Sequence, residues 1–228
     1  MGVIQTISDW DKSAFLYLNS FHSDLMDNVM TLFTLTPTWF LFYGVTLYVI
    51  IRKYGRKSVP VIISLIIIIL LSDQISGIFK HTVMRLRPSN DPAVAPLAHV
   101  FFTKGGLYGF VSAHAANAFT FATFSALLFR SRGYVIFIFP WACVIAYTRI
   151  YLGVHYPGDI LGGIVVGSLV GWGVYKLLIL LESRLFPVHP YQRNKLTLNE
   201  LETLMIAATM VVFFTFSVVI LMLQNDLL

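Results

Sequence analysis

Three short stretches of this sequence carry side chains able to do chemistry on a charged group. The first is Lys80–Pro88, KHTVMRLRP, with Lys80 and Arg87 seven residues apart. Seven residues are two helical turns, so the two cations share a face if a helix continues to Pro88, which then stops it. Arginine offers a planar fork that matches phosphate, and lysine a point charge. The second is Val111–His114, VSAH, just before an apolar run. Ser112 and His114 at a helix start bring together a hydroxyl, an imidazole and free backbone N–H groups, which attract anions. The third is Thr148–Asp159, TRIYLGVHYPGD, where His155 and Asp159 are four apart around a Pro157 suited to a first helical position. The carboxylate can hold one ring N–H and fix the tautomer, leaving the other nitrogen free to attack, and Arg149 completes an anion cradle. Each cluster alone has a plainer reading: bases reaching for headgroups, a serine capping a helix, a packing histidine, an aspartate cap. Together they supply three cations, two histidines, a hydroxyl and a carboxylate, which is a phosphate site with its own nucleophile and acid. The set has too few carboxylates for magnesium, and three cations oppose zinc at the histidines, so no metal or other cofactor is expected.

These residues must be positioned by apolar helices. Of 228 residues, 57% are hydrophobic and only 12% charged, and the mean hydropathy is +0.76. A soluble domain carries about 25% charged residues, so soluble, disordered and disulfide-stapled readings are excluded. An all-α polytopic membrane protein of one domain remains. Six spans are expected, at 29–51, 59–79, 113–129, 134–151, 160–181 and 203–223, with Pro37 tolerated inside the first. Residues 3–22 mix Ile7, Trp10, Ala14 and Leu18 with Asp9, Asp11 and Lys12, and are expected to lie as an amphipathic helix in the outer interface. Residues 1–11 lack the basic and apolar segments of a cleavable signal peptide.

Charge chooses the orientation. The net charge is 16 − 11 = +5, but the bases form short clusters between apolar runs, which favours membrane orientation over nucleic acid. Arg52, Lys53, Arg56 and Lys57, then Arg130 and Arg132, then Arg184, Arg193 and Lys195 occupy alternate loops and face the cytoplasm by the positive-inside rule. All three chemical clusters then lie outside. Lys80, Arg85, Arg87 and Lys104 oppose that bias, and a function explains their retention.

At these residues the sequence resembles the type 2 phosphatidic acid phosphatase superfamily, membrane lipid-phosphate phosphatases that share an active site with the vanadium haloperoxidases. Lys80 through Arg87-Pro88 matches its first motif completely. Its second, Pro-Ser-Gly-His, reads Val111-Ser112-Ala113-His114 here, and its third, Ser-Arg followed by His and Asp, reads Thr148-Arg149, His155 and Asp159. The resemblance covers roughly residues 60 to 175. It implies that His155 attacks phosphorus, that Asp159 orients it, and that His114 protonates the leaving oxygen and then activates water. It implies that Lys80, Arg87 and Arg149 hold the phosphate oxygens, helped by Ser112 and nearby N–H groups. Ala113 keeps its N–H where the family has glycine, which suffices if its φ is ordinary.

The expected activity is therefore metal-independent hydrolysis of a lipid phosphate or diphosphate at the outer leaflet of a bacterial inner membrane. The substrate classes are a polyprenyl diphosphate, the lipid A phosphates and phosphatidylglycerol phosphate. The partners are that lipid and the bilayer, with no nucleic acid and no obligatory protein. The rivals are an anionic-solute transporter, an intramembrane serine protease built on Ser112, and a catalytically impaired lipid-binding relative. Asp73 either supports the site through Lys80 or an arginine, or makes an interhelical bond. Arg85 either supports the site or faces headgroups. Phe101, Phe102, Tyr108 and Phe110 either wall the lipid entry or anchor the interface. Gly158, Gly162, Gly163, Gly167 and Gly171 point to close helix packing. His22, His81, His99 and His189 sit in no motif, and Cys143 is alone.

Overall fold

The structure is a computed structural model that describes residues 2–185, 191 and 195–224; His189 and Arg193 lie outside them. The described chain is helical, with eight helices in order: α1 Val3–Asn19, α2 Asp24–Thr34, α3 Phe40–Tyr54, α4 Val59–Val83, α5 Ala113–Phe129, α6 Arg132–Tyr151, α7 Pro157–Leu185 and α8 Leu198–Gln224. Four stretches are long and apolar enough to cross a membrane, Thr36–Val83, Arg132–Tyr151, Pro157–Glu182 and Leu198–Gln224, and α5 is a shorter apolar helix. The protein is thus a multi-pass helical membrane protein.

The stretch expected as one span at 29–51 is two helices. Leu35 is extended, and Pro37 sits in a 3-10 turn at Thr36–Trp39 that separates α2 from α3. The proline lacks an N–H, so the helix is interrupted where the ladder would need that donor. The indole of Trp39 donates to the Phe33 carbonyl at 2.8 Å and Thr38 to Leu32 at 2.6 Å, which satisfies two carbonyls freed by the break.

Helices α5 and α7 form the centre. Cβ atoms built on Gly163, Gly167 and Gly171 would lie 2.6 Å from the Ser112 carbonyl oxygen, 2.2 Å from that of Ala116 and 2.6 Å from that of Thr120. The glycine stripe therefore lets α7 lie directly on the α5 backbone, as small residues do between membrane helices. Gly158 departs from the stripe, since its Cβ would meet Asp11 at 2.6 Å. The chain reverses between α3 and α4 at a 3-10 turn, Gly55–Ser58. At that end Lys53 donates to the Lys195 carbonyl at 2.6 Å, and the Leu196 N–H to the Phe129 carbonyl at 2.9 Å. The basic loops after α3 and α5, and Lys195 ahead of α8, thus gather at one end of the bundle. The three chemical clusters sit at the other, where α4 and α6 end and α5 and α7 begin.

Candidate active site

Arg87 does not reach the site from a helix. Helix α4 stops at Val83, and Met84 takes a left-handed conformation with φ +50. Residues 85–87 are then extended and stitched to 107–109: the Arg87 N–H donates to the Leu107 carbonyl at 3.1 Å and the Gly109 N–H to the Arg85 carbonyl at 2.8 Å. The expected two-turn face from Lys80 to Arg87 is replaced by a helix end and a strand-like hook, because backbone pairing with 107–109 outcompetes a further helical turn. The convergence of Lys80 and Arg87 survives, and they act on each other electrostatically.

His155 lies in the short loop before α7 and is 1% exposed. Its Nδ1 is 3.3 Å from Asp159 Oδ2, and its Nε2 is 3.2 Å from Arg87 Nη1. A guanidinium can only donate. Nε2 must therefore accept, which places the ring proton on Nδ1, facing the carboxylate. Burial, and then the charges of Arg87, Arg149 and Lys80, hold the His155 pKa well below its usual value of 6.5. The resting imidazole is neutral, with its lone pair on Nε2 held by the Arg87 guanidinium. Asp159 is fully buried and accepts from three partners: Oδ2 also accepts the Tyr156 N–H at 3.1 Å, and Oδ1 accepts Arg85 Nη1 at 3.1 Å.

The remaining motif residues surround this pair. Arg149 is buried, donates through Nη1 to Thr34 Oγ1, and keeps an unpartnered buried Nε. A buried donor without an acceptor is costly, and an anion at this place satisfies it. Ser112 caps α5 by accepting the Ala115 N–H at 3.4 Å, and its carbonyl accepts the Ala116 N–H at 2.9 Å. The N–H groups of Ala113 and His114 stand ahead of the first intrahelical bond and are free to meet an anion. Ala113 is absent from the positive-φ residues, which are Met84, Phe102 and Arg130, so its methyl costs no backbone strain. His114 feels Arg149, His155, Arg87 and Lys80 electrostatically, which puts all five groups around one space.

Several contributors carried no motif signal. Arg85 takes the supporting alternative: it lies 4.2 Å over the Tyr156 ring and bridges Asp159 to Asp11, whose Oδ2 is 2.7 Å from Nη2. Asp11 Oδ1 also accepts the Gly158 N–H at 2.8 Å, and the neighbouring Lys12 pairs with Asp91 at 2.8 Å. Helix α1 is therefore fastened to the histidine loop by its polar residues, while Val3, Ile7, Trp10 and Tyr17 point outward and are exposed. Gly109 is a second such residue, since a Cβ there would lie 2.7 Å from Asp159 Oδ2. His99 pairs with Asp27 at 2.9 Å and stacks on His22, and Asp27 also accepts from the Tyr151 hydroxyl at 2.8 Å. His81 has no assigned role.

A cleft of about 780 Å³ opens from His114 and Ala113 down between α3 and α4, past Trp39, Tyr43 and Ile66. The loop aromatics Phe101, Phe102, Tyr108 and Phe110 do not line it, so the cleft mouth is made by helices instead. Asp73 does line it; it accepts from Asn117 Nδ2 at 2.8 Å, the interhelical alternative, and also acts electrostatically on Lys80, the supporting one. Among the described residues there is no group of three or more His, Cys, Asp or Glu side chains able to hold a metal ion.

A buried neutral histidine, backed by a carboxylate and ringed by cations at the end of a membrane helix bundle, defines a membrane phosphatase. The chain belongs to the PAP2 superfamily, whose model matches residues 61–181. It is 37% identical to the lipid A 4'-phosphatase of Bacteroides thetaiotaomicron over 80% of this chain and 83% of that one. It is 32% identical to the lipid A 4'-phosphatase of Porphyromonas gingivalis over 82% of each. The crystal structure of Aquifex aeolicus LpxE superposes with a TM-score of 0.57 at 25% identity, covering 72% of this chain and 93% of that one.

Proposed function

We propose that the protein removes a phosphate from lipid A, through a phosphohistidine and without a metal ion, at the outer leaflet of a bacterial inner membrane. The observation that carries this reading is the chain Arg87–His155–Asp159, with Nε2 as acceptor and Nδ1 facing the carboxylate. A phosphate entering the cradle draws the guanidinium onto its own oxygens and frees the Nε2 lone pair. Nε2 attacks phosphorus, and the bond to the leaving oxygen breaks as His114, protonated once the phosphate's charge offsets the surrounding cations, gives its proton to that oxygen. The phosphoryl group stays on His155, whose ring is now cationic and is stabilised by Asp159. His114, left neutral, takes a proton from water, whose oxygen attacks phosphorus and releases inorganic phosphate. Lys80, Arg87 and Arg149 hold the equatorial oxygens throughout, with Ser112 and the Ala113 N–H.

The apolar cleft beside His114 suits the acyl chains, which keep to the bilayer while the phosphate reaches the cations. Six crossings, with α2 and α3 sharing the first and one domain in all, put the basic loops in the cytoplasm and the site outside. The gathering of those loops at the far end supports this orientation. The lipid A 4'-phosphatase relatives favour that substrate among the lipid phosphates.

The test is phosphate release by the detergent-purified protein from a panel of lipid phosphates, with and without saturating EDTA. Lipid A should be dephosphorylated in EDTA, and orthovanadate should inhibit. Complete loss in EDTA, restored by magnesium or zinc, would overturn the metal-free reading.

A further inference from the structure

Below the phosphate-facing tier lies a second polar tier, whose Asp73 also acts electrostatically on Lys80. Asn117 is three residues after His114 on α5, and Asp73 is seven residues before Lys80 on α4. At 1.5 Å of rise per residue, Asn117 lies about 4.5 Å deeper than His114. Asp73 and Asn117 line the same cleft as His114, in a wall otherwise dominated by aliphatic and aromatic side chains. Asn117 donates to Asp73 Oδ1 at 2.8 Å, which fixes its amide with Nδ2 toward the carboxylate. Its Oδ1 is then buried with no hydrogen-bond partner. A carboxylate accepts at about four lone-pair sites, and Asn117 fills one. A buried acceptor left unmet, as Asn117 Oδ1 is, is expensive and marks a function.

We infer that the Asp73–Asn117 pair is a subsite for hydrogen-bond donors carried beside the phosphate, the hydroxyl and amide N–H groups of an acylated sugar. The chemistry selects this ligand class. The unmet Asn117 acceptor and the open Asp73 carboxylate beside it call for donors, and that carboxylate repels a second phosphate that sinks too deep. A sugar ring places hydroxyl and amide N–H groups next to its phosphate, at about the depth of this tier. A prenyl chain has no donor to offer there. Buried acceptors left unpaired by the wrong substrate are a strong source of discrimination. The subsite rests on the phosphatase reading above and would make this protein a sugar-lipid phosphatase rather than a general one.

The test compares kcat/KM on two probes, an acylated glucosamine phosphate and a polyprenyl phosphate, for the wild type, Asp73→Asn and Asn117→Ala. Wild type should favour the sugar lipid, and each variant should lower the ratio of the two kcat/KM values about tenfold, chiefly through KM. Asp73→Asn keeps volume and an amide able to pair with Asn117, so it reports the subsite even if Asn117→Ala is unstable. Equal losses on the two probes would assign the pair to helix packing and overturn the subsite, as would an unmoved ratio. Turnover of the prenyl probe alone would also overturn it while leaving the phosphatase reading intact. Failure on both probes by a folded wild type would instead overturn that reading, and the subsite with it.

Discussion

At the scale of single residues the site is a problem in keeping one imidazole neutral among cations. Burial and the charges of Arg87, Arg149 and Lys80 all disfavour the imidazolium of His155, so its pKa is depressed. Attack needs the neutral ring. The acid limb of kcat/KM that reports His155 should therefore lie well below 6.5, the unperturbed value. Removing a cation lowers the penalty on the imidazolium and raises its pKa, so in Lys80→Met the residual activity should lose its acid limb at higher pH than wild type does. A limb that stays put or moves to lower pH would contradict this electrostatic account. The motif residues were legible in the sequence because each group lies within one short segment and its spacing is local. Asp11, Gly109 and Thr34 were not, and Arg85 stands there only as one of two alternatives. Arg85 meets Asp159 across 74 residues of chain, and Thr34 meets Arg149 across 115, so no spacing rule joins them. The positions of Gly109 and of the Asn117 partner of Asp73 likewise become visible only once helices are placed side by side.

At the scale of elements, α1 and α7 position the site in different ways. Helix α1 contributes Asp11, which holds Arg85 on one carboxylate oxygen and the Gly158 N–H on the other. Asp11 is a positioning residue acting through Arg85 on Asp159. Asp11→Asn should lower kcat about tenfold with little change in KM, and Asp11→Glu should recover part of the loss; steady-state kinetics on a lipid phosphate reads it. An equal fall in thermal stability and kcat for the two variants would mean that Asp11 only fastens the helix. Helix α7 depends on lying against the α5 backbone. A methyl at Gly167 would stand 2.2 Å from the Ala116 carbonyl oxygen, whereas Gly173 has nothing within 4 Å of its Cβ. Gly167→Ala should cost about 1–3 kcal/mol through overpacking and lower the melting temperature in detergent, while Gly173→Ala should not. The α7 glycines were readable from their spacing of four. The break between α2 and α3 was not, because Pro37 inside an apolar run is equally compatible with a kinked span. The end of α4 at Val83 escaped notice because its cap is Met84, a residue that rarely takes a left-handed φ.

At the scale of the whole molecule, the orientation and the chemistry stand together. In the proposed orientation, alternating basic loops put 52–57 and 130–132 inside and the site outside, although Lys80, Arg85, Arg87 and Lys104 oppose the bias. Single cysteines at the exposed Thr103 and Arg56, in a Cys143→Ser background, report this with a membrane-impermeant thiol reagent on intact cells. Labelling should occur at 103 and not at 56; the reverse would place the chemistry on the cytoplasmic leaflet. Composition made the membrane class and the all-helical fold legible at once. The cleft between α3 and α4 was hidden, because it arises from two neighbouring helices that diverge instead of packing. Above all of this stands the claim that His155 carries the phosphoryl group. The most direct measurement is rapid-quench trapping with radiolabelled lipid phosphate in EDTA, followed by peptide mapping at alkaline pH. The account expects an acid-labile, alkali-stable label on His155 that forms before free phosphate appears and is absent from His155→Ala, which releases no phosphate. Turnover without such a label, together with phosphate release by His155→Ala at near the wild-type rate, would contradict it.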